Sequence, residues 1–500
     1  MANKTIKRPK QQQSTSQTDK SSIIMQSSTS FNTKILWASF ALYTIAVLYG
    51  ISFHEPWRDE AQSWLVVKNL DLAGLFKKLP SEGHPPMWYL CLFPLAKLGL
   101  PYVSQNILCA VCMITGIYFL QIKSHLPFIV KVLLPFSYLF LYEYAIIGRS
   151  YCLLVLFCSL ILWLYPRRFE KPFLFAFCVI ALANTHTLIF SFCFTLACIY
   201  FLDVVAYKQL NAKTLTAFVF MLVGSLYIIP YLGSGKVTGA FKMYVSTDVF
   251  LNALSLGFLA NTYTSVMLLL LGAICLSFIT RTKPFILMLG GLASVVYILW
   301  CIFPGDARHG GVVFIIALTV LGLFDYYKDD SWNHLKEENL SFIKYNYWLM
   351  VFVIVIQMKP AIENYMLDKD QLFSQAQNAA GFIKENHFEN NIIVGEQAWA
   401  ASALLPYLKD HKEFYYIECN RYGSYYTFDT CFTNNHWQRN TDIYVQEAEE
   451  LFRDKKDQVL FVFNSALNPA LSSKLDLLYQ PDELPIKKDE IFYVYRFKKQ

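Results

Sequence analysis

The stretch "KILWASFALYTIAVLYGISF" (34–53) decides the fold. A helix needs roughly 20 apolar residues to cross the hydrocarbon core of a bilayer, and this run supplies them with one charge, at its first position. It lacks a small-residue cleavage site and is longer than the apolar region of a typical signal peptide, so it reads as a retained anchor. The rest of the chain repeats the pattern. Of its 500 residues, 55% are hydrophobic, 17% aromatic and only 16% charged, and the mean hydropathy is +0.34. That composition excludes a soluble enzyme and describes a polytopic α-helical membrane protein.

Further apolar runs fall near 86–98, 104–121, 126–147, 150–165, 172–203, 214–232, 264–280, 284–303, 310–326 and 345–358. The run at 172–203 is too long for one helix and carries "NTHT" at its centre, which predicts two short helices turning at His186. "PPMWYLCLFPLAKLG" (85–99) is short for a crossing and reads as a shallow or re-entrant helix, so about eleven spans are expected. Residues 1–20 are basic, rich in Gln, Ser and Thr and almost free of apolar residues, and 1–33 is expected to be a disordered cytoplasmic tail that orients the first span rather than binding nucleic acid. The positive-inside rule places 165–171, 207–213, 280–283 and 326–344 in the cytoplasm. By parity the first loop (54–85), Arg149, the 233–262 loop, 304–311 and everything after about 359 face the other side. In a bacterium that membrane would be the inner, or plasma, membrane.

The spans thus form a membrane domain over 34–358, and from 359 to 500 the pattern becomes that of a soluble, extracytoplasmic α/β domain. Helical "QLFSQAQNAAGFIKENHF" precedes strand-like "NNIIVG", "EFYYIE", "QVLFVFN" and "EIFYVYRF", which predicts a mostly parallel sheet. It has neither a GxGxxG nor a P-loop, so nothing supports a nucleotide site there. Ten of the twelve cysteines lie in or beside apolar runs and serve as small hydrophobic fillers. The other two, Cys419 and Cys431, are expected to form a disulfide if this domain is exported.

Charge is concentrated in the first loop, "HEPWRDEAQSWLVVKNLDLAGLFKKLP" (54–80). Beyond Asp59, apolar residues recur at helical spacing against polar ones, predicting an amphipathic helix on the membrane surface, broken near Gly74. Asp59 with Gln62 fits a capping box, which accounts for one carboxylate. It leaves Arg58, Glu60 and the following "SEGHPPMWYL" (81–90), with Glu82 and His84, unexplained. "LYEYAIIGRSYCLL" (141–154) adds Glu143 and Arg149 at helix ends, and "PGDARHGG" (304–311) adds Arg308 and His309. Ionisable groups at membrane depth are paired or functional, although Arg149 could instead snorkel to lipid phosphates. His186 reads as a packed histidine, and Lys236 and Lys242 as solvated loop charges. Carboxylates suit a general base or a hard-metal site, and arginines suit a phosphate. The combination points to group transfer from a lipid phosphate.

In order and spacing, "RDEAQSW", "EGHPPMWYL", "YEYAIIGRSYCLL" and "DARHGG" resemble the integral-membrane GT-C glycosyltransferases, in the branch of the protein O-mannosyltransferases and the aminoarabinose transferase of lipid A. The resemblance covers about 35–325. It implies a polyprenyl-phosphate-sugar donor and a glycolipid, glycan or protein acceptor. Asp59 matches the catalytic base and Glu60 its partner. Arg149 matches the arginine that neutralises the leaving phosphate, and Arg308 a second one, with Arg58 beside them. Glu82 and His84 fall where related enzymes hold a divalent ion (Mg, Mn or Zn) or the donor phosphate. The sequence departs from the family at Gly148-Arg149-Ser150-Tyr151 and at His309. The competing reading is a transporter or flippase of lipid-linked sugars. Such proteins bind near the bilayer midplane and often carry internal repeats, neither of which is visible here.

Overall fold

A computed structural model describes residues 17–232, 246–303, 305–333, 346–408, 413–428, 441–467 and 473–498. The membrane domain opens with α1 (Gln17–Phe53), which is followed by two loop helices, α2 (Arg58–Asn69) and α3 (Leu72–Glu82), and by the short α4 (Met87–Lys97). Then come α5 (Ser104–Tyr118), α6 (Phe128–Leu133), α7 (Tyr151–Leu164), α8 (Pro172–Ala183), α9 (Phe190–Ala206), α10 (Ala212–Leu226) and α11 (Ile229–Leu232). The series closes with α12 (Thr247–Leu259), α13 (Thr264–Ser277), α14 (Thr282–Cys301), α15 (Ala307–Gly310), α16 (Val312–Leu323) and α17 (Asn346–Asp370).

Among the described residues seven helices are long and apolar enough to cross a membrane, or eight if α12 and α13, bent by 67°, count as one. This is a polytopic helical membrane protein, but length and composition support fewer than the expected eleven spans. Part of the difference lies in α7 and α8, which are apolar but short, and part in runs that the backbone breaks. The run at 126–147 becomes α6, a 3-10 turn at Leu134–Phe136 and a π-helix at Leu139–Glu143, because Pro127 and Pro135 interrupt the hydrogen-bond ladder. Irregular backbone at this depth is tolerated where protein covers it, and residues 138–147 are buried throughout. The 172–203 run does divide as expected, into α8 and α9, with His186 at the turn and a 3-10 turn at Thr187–Ile189. α1 starts at Gln17, so the latter half of the expected disordered tail is helical. Extending an existing helix avoids the nucleation cost.

The charged segments sort to two ends of the bundle. At one, Asp203 is fully buried, bound by Arg168 at 3.0 Å and Lys283 at 2.9 Å, and Lys283 also meets Asp330 at 2.7 Å. This gathers segments 165–171, 280–283 and 326–333, together with the end of α9, at one face. The first loop, Arg149 and the 306–311 segment meet at the opposite end.

There the C-terminal domain packs on the first loop. Its sheet runs β3-β2-β1-β4-β6-β5, with β1 (Ile392–Gly395), β2 (Phe414–Tyr416), β3 (Arg421–Gly423), β4 (Val459–Phe463), β5 (Leu475–Tyr479) and β6 (Tyr493–Phe497). Only β1–β2 and β1–β4 pair in parallel, and β2–β3, β4–β6 and β5–β6 are antiparallel. The expected mostly parallel sheet is therefore mixed. The sequence pattern predicted the four strands rich in β-branched and aromatic residues. It overlooked β3, a three-residue edge strand reached by a tight turn with Asn420 at φ 48°, and half-exposed β5. α17 continues through 359 to Asp370, so the soluble domain begins later than expected. Cys419 is disulfide-bonded and ten other cysteines are free thiols; Cys431 lies outside the described residues.

The predicted amphipathic surface helix is two helices that meet at Leu70–Asp71 rather than Gly74. Leu70 ends the first and Asp71 caps the second, its side chain accepting from the Gly74 amide at 2.7 Å. The apolar face of α2, including Trp64, Leu65 and Val67, is buried. Protein, not lipid, covers it: Trp64 packs on Tyr102, which in turn packs on Tyr407 of the C-terminal domain.

Candidate active site

Asp59 is the second residue of α2, not its cap. The cap position is Trp57, and its amide donates to Glu60 Oε2 at 3.2 Å. Glu60 therefore does the capping expected of Asp59, because at the third helical position a glutamate reaches back to the cap amide. This separates the two neighbouring carboxylates. Glu60 is wholly buried and accepts from His54 Nε2 at 3.1 Å, Asn106 Nδ2 at 2.9 Å and the Gly148 amide at 2.6 Å. It faces away from the cavity and holds the first loop to the turn that carries Arg149. A Cβ at residue 148 would lie 2.8 Å from Glu60 Oε1, so only glycine permits this approach. His54 is itself clamped, with Nδ1 2.7 Å from Asp368 Oδ2 on α17. Burial alone would push its imidazole down, but the carboxylates of Asp368 and Glu60 prevail and raise it to about 10. His54 is thus a buried imidazolium between two carboxylates.

Asp59 is left to face a cavity of about 270 Å³. Its Oδ2 lies 3.3 Å from Arg308 Nη2 and its Oδ1 3.9 Å from Arg58 Nε, and Arg149 donates to its backbone carbonyl. Burial alone would raise this carboxyl, but its side chain keeps 31% of its surface open. The guanidiniums of Arg149, Arg308 and Arg58, with the Lys487 ammonium, hold it down at about 2. Arg308 is placed by backbone packing: a Cβ at Gly310 would lie 2.0 Å from the Ala253 carbonyl oxygen, and one at Gly257 2.1 Å from the Gly311 amide nitrogen. The "HGG" after Arg308 therefore lets α15 lie directly on α12.

Arg149 Nη2 donates to His84 Nε2 at 3.3 Å. Burial first, and then the Arg149 charge, push the His84 imidazole down to about 3, so it is neutral. His186 and His309 also line the cavity. His186 Nδ1 accepts from the Leu188 amide at 3.2 Å and His309 Nδ1 from the Asp306 amide at 3.0 Å, which leaves each Nε2 as the donor. The hydroxyl of Tyr151 lies 3.0 Å from His186 Nε2, and Tyr151 stacks on Tyr144 with ring centroids 5.0 Å apart. Glu82 lines the opposite wall, bound by Lys78 at 3.0 Å and by the Gln62 amide at 3.2 Å; burial raises its carboxyl.

The cavity therefore brings together Asp59, Arg149, Arg308, Glu82 and His84. It excludes Glu60 and also Arg58, which contacts Asp489 and lies over the Trp399 ring at 4.1 Å, tying the loop to the C-terminal domain. Glu143 is bound by the Tyr138 hydroxyl at 2.6 Å. Lys236 and Lys242 lie outside the described residues. The remaining walls differ in character. Leu188, Ile298, Ile302 and Phe303 give an apolar surface continuous with the spans, and Phe428 of the C-terminal domain closes the loop side. Sequence reasoning missed Phe428, and it missed Lys487, which packs 4.3 Å from the Trp57 ring. Both lie hundreds of residues from the first loop, and no local pattern marks them.

The residues present do not fit a divalent metal. Glu82 is already neutralised by Lys78, His84 faces a guanidinium, and no three His, Cys, Asp or Glu side chains among the described residues form a ligand group. Two guanidiniums, neutral imidazole donors and an apolar wall instead suit an amphiphilic anion. No family model matches the chain, and no curated protein matches it.

Proposed function

We propose that the protein is an integral-membrane glycosyltransferase that moves a sugar from a polyprenyl-phosphate carrier to a hydroxyl acceptor at the extracytoplasmic face. The observation that carries this reading is the cavity in which Asp59 sits against Arg308 and Arg149, between apolar span residues and the first loop. The prenyl chain would lie along Leu188, Ile298 and Ile302, with the phosphate between the two guanidiniums. Asp59 accepts the proton of the acceptor hydroxyl as its oxygen attacks the anomeric carbon. The bond from that carbon to the phosphate oxygen breaks, and its electron pair leaves with the phosphate, whose charge Arg149 and Arg308 neutralise. A lipid phosphate is already a good leaving group, so positioning and charge neutralisation account for most of the demand on the protein.

The test is a deletion strain complemented with wild type, Asp59→Asn or Arg149→Ala, with lipid-linked sugars and surface glycans compared by mass spectrometry. Deletion and both variants should accumulate one lipid-linked sugar and lose one glycan. Unchanged profiles in both variants would refute the reading. Normal glycans in Asp59→Asn with loss in Arg149→Ala would favour transport, in which the site binds but does not react.

A further inference from the structure

The loop side of the cavity is built differently from the cationic side. Gln62 is a strut there: its amide nitrogen donates to the Tyr426 carbonyl at 2.8 Å and to Glu82, and its oxygen accepts from the Tyr426 amide at 3.0 Å. This two-way pairing fixes the chain that carries Phe428, whose ring meets that of Tyr426 with centroids 4.8 Å apart and borders the cavity. Lys78 closes the group, 3.0 Å from Glu82 Oε1 and 5.6 Å from the Phe428 ring centroid. Ser81 donates to the Lys78 carbonyl at 2.7 Å, which leaves its oxygen lone pairs for a hydroxyl donor.

An aromatic ring beside a carboxylate and a hydroxyl is the combination that holds a polyhydroxylated ring, by contact with its C–H face and by hydrogen bonds to its edge. The charge balance then selects among sugars. The negative charge of Glu82 is cancelled by Lys78 and that of Asp59, the other carboxylate lining this cavity, by Arg308, which leaves Arg149 as a further cation. A cationic group placed here would lose its hydration and find both carboxylates already paired with cations of the protein. The geometry points to a head-group subsite formed by Ser81, Glu82 and Phe428 that takes an uncharged sugar and rejects an amino sugar, with the C-terminal domain supplying its aromatic wall. This rests on the lipid-phosphate reading above and sharpens it.

The test uses the full chain in phosphatidylcholine nanodiscs, which avoids glycoside detergents, and three probes: farnesyl phosphate, farnesyl-phosphate-linked glucose and farnesyl-phosphate-linked glucosamine. The two sugars differ only in a hydroxyl against an ammonium. Calorimetric titration of wild type should show glucose bound at least about tenfold more tightly than glucosamine, the ratio produced by a 1.4 kcal/mol difference. Phe428→Ala should weaken the glucose probe about fivefold and leave bare farnesyl phosphate unchanged. Lys78→Met, which frees Glu82 to pair with the ligand, should move the ratio toward glucosamine. Equal or tighter glucosamine binding by wild type overturns the selection for an uncharged sugar. A Phe428→Ala protein that binds both phosphates as wild type does overturns the subsite while the lipid-phosphate reading stands. Failure of wild type to bind even farnesyl phosphate overturns that reading, and this inference with it.

Discussion

Replacing Glu60 with Gln separates the two neighbouring carboxylates of the first loop. The Glu60 carboxylate accepts four hydrogen bonds, from the Trp57 and Gly148 amides, Asn106 and His54. A glutamine oxygen can keep two of these, and its NH₂ group must then face two donors. Each lost bond to a charged group costs about 1.5–3 kcal/mol. The His54 imidazolium, clamped between Glu60 and Asp368, would also lose one of its two counter-ions, and breaking a buried ion pair costs about 3–5 kcal/mol. These terms overlap, and a loss of about 4 kcal/mol is expected from them together. The assay is supplied by the chain: six buried free thiols, Cys109, Cys112, Cys152, Cys158, Cys178 and Cys193, become reactive to a thiol-specific dye on unfolding. In detergent, Glu60→Gln should react at a far lower temperature than wild type, and Asp59→Asn at nearly the wild-type temperature while losing transfer. A Glu60→Gln protein with wild-type thermal stability would refute the assignment of Glu60 as a structural strut. A strongly destabilised Asp59→Asn would refute the assignment of Asp59 as a cavity group.

Other consequences follow from the same geometry. Gly148→Ala places a methyl group 2.8 Å from Glu60 Oε1 and should lower stability by about 1–3 kcal/mol, read by the same dye; wild-type behaviour would mean that the turn relaxes freely. The C-terminal domain is latched to the first loop by reciprocal carboxylates. Glu490 accepts from the Arg58 amide at 3.0 Å, and Glu55 from the Gln377 amide at 2.7 Å. Burial raises Glu490 to about 7 and Glu55 to about 8. Because the docked pKa lies above that of an ordinary carboxyl, their contribution is complete at acid pH and is lost as pH rises through 7 to 8. Limited proteolysis should therefore release the domain faster at pH 9 than at pH 6, and no difference would count against the latch. Asp203→Asn, at the far end of the bundle, leaves Arg168 and Lys283 without their shared counter-ion. It should destabilise the protein yet leave farnesyl phosphate affinity unchanged, as measured by titration.

What was legible in the sequence and what was not divides by distance along the chain. Apolar runs announce spans because lipid demands satisfied backbone over a fixed length, and the "NTHT" turn was visible as polar residues inside such a run. The breaks at Pro127 and Pro135 were less visible, because the same run is apolar whether straight or broken. The cavity residues Asp59, Glu82, His84, Arg149 and Arg308 were found because charge at membrane depth is costly enough to stand out. Their roles were not all found with them. Whether Asp59 or Glu60 caps α2 depends on which residue takes the cap position, a shift of two that propensity cannot resolve. The fate of Glu60 depends on Asn106 and Gly148, which only the folded chain brings to it. Phe428 and Lys487 had no signal at all, since aromatic and basic residues in a soluble domain are ordinary until Phe428 borders the cavity of another domain and Lys487 packs on Trp57.

The charge state of Asp59 bears on how the proposed reaction would be ordered. A carboxylate held at about 2 by guanidiniums and an ammonium is fully ionised but a weak base, since proton-transfer efficiency rises as the pKa of the base approaches the working pH. Yet the same guanidiniums are the groups proposed to bind the donor phosphate. When that phosphate occupies the cavity, Arg149 and Arg308 turn part of their field to it, and a second anion now stands beside Asp59. Both changes raise the proton affinity of the carboxylate. Donor binding would therefore create the base that the acceptor needs, and the empty site would be inert toward hydroxyls. The consequence is an ordered reaction, donor first. With donor saturating, the acid limb of the rate profile should lie above pH 2, and Arg308→Lys, which keeps the charge but loses the forked geometry, should shift that limb. An acid limb that stays at about 2 with donor bound would mean that the phosphate does not share the arginines with Asp59.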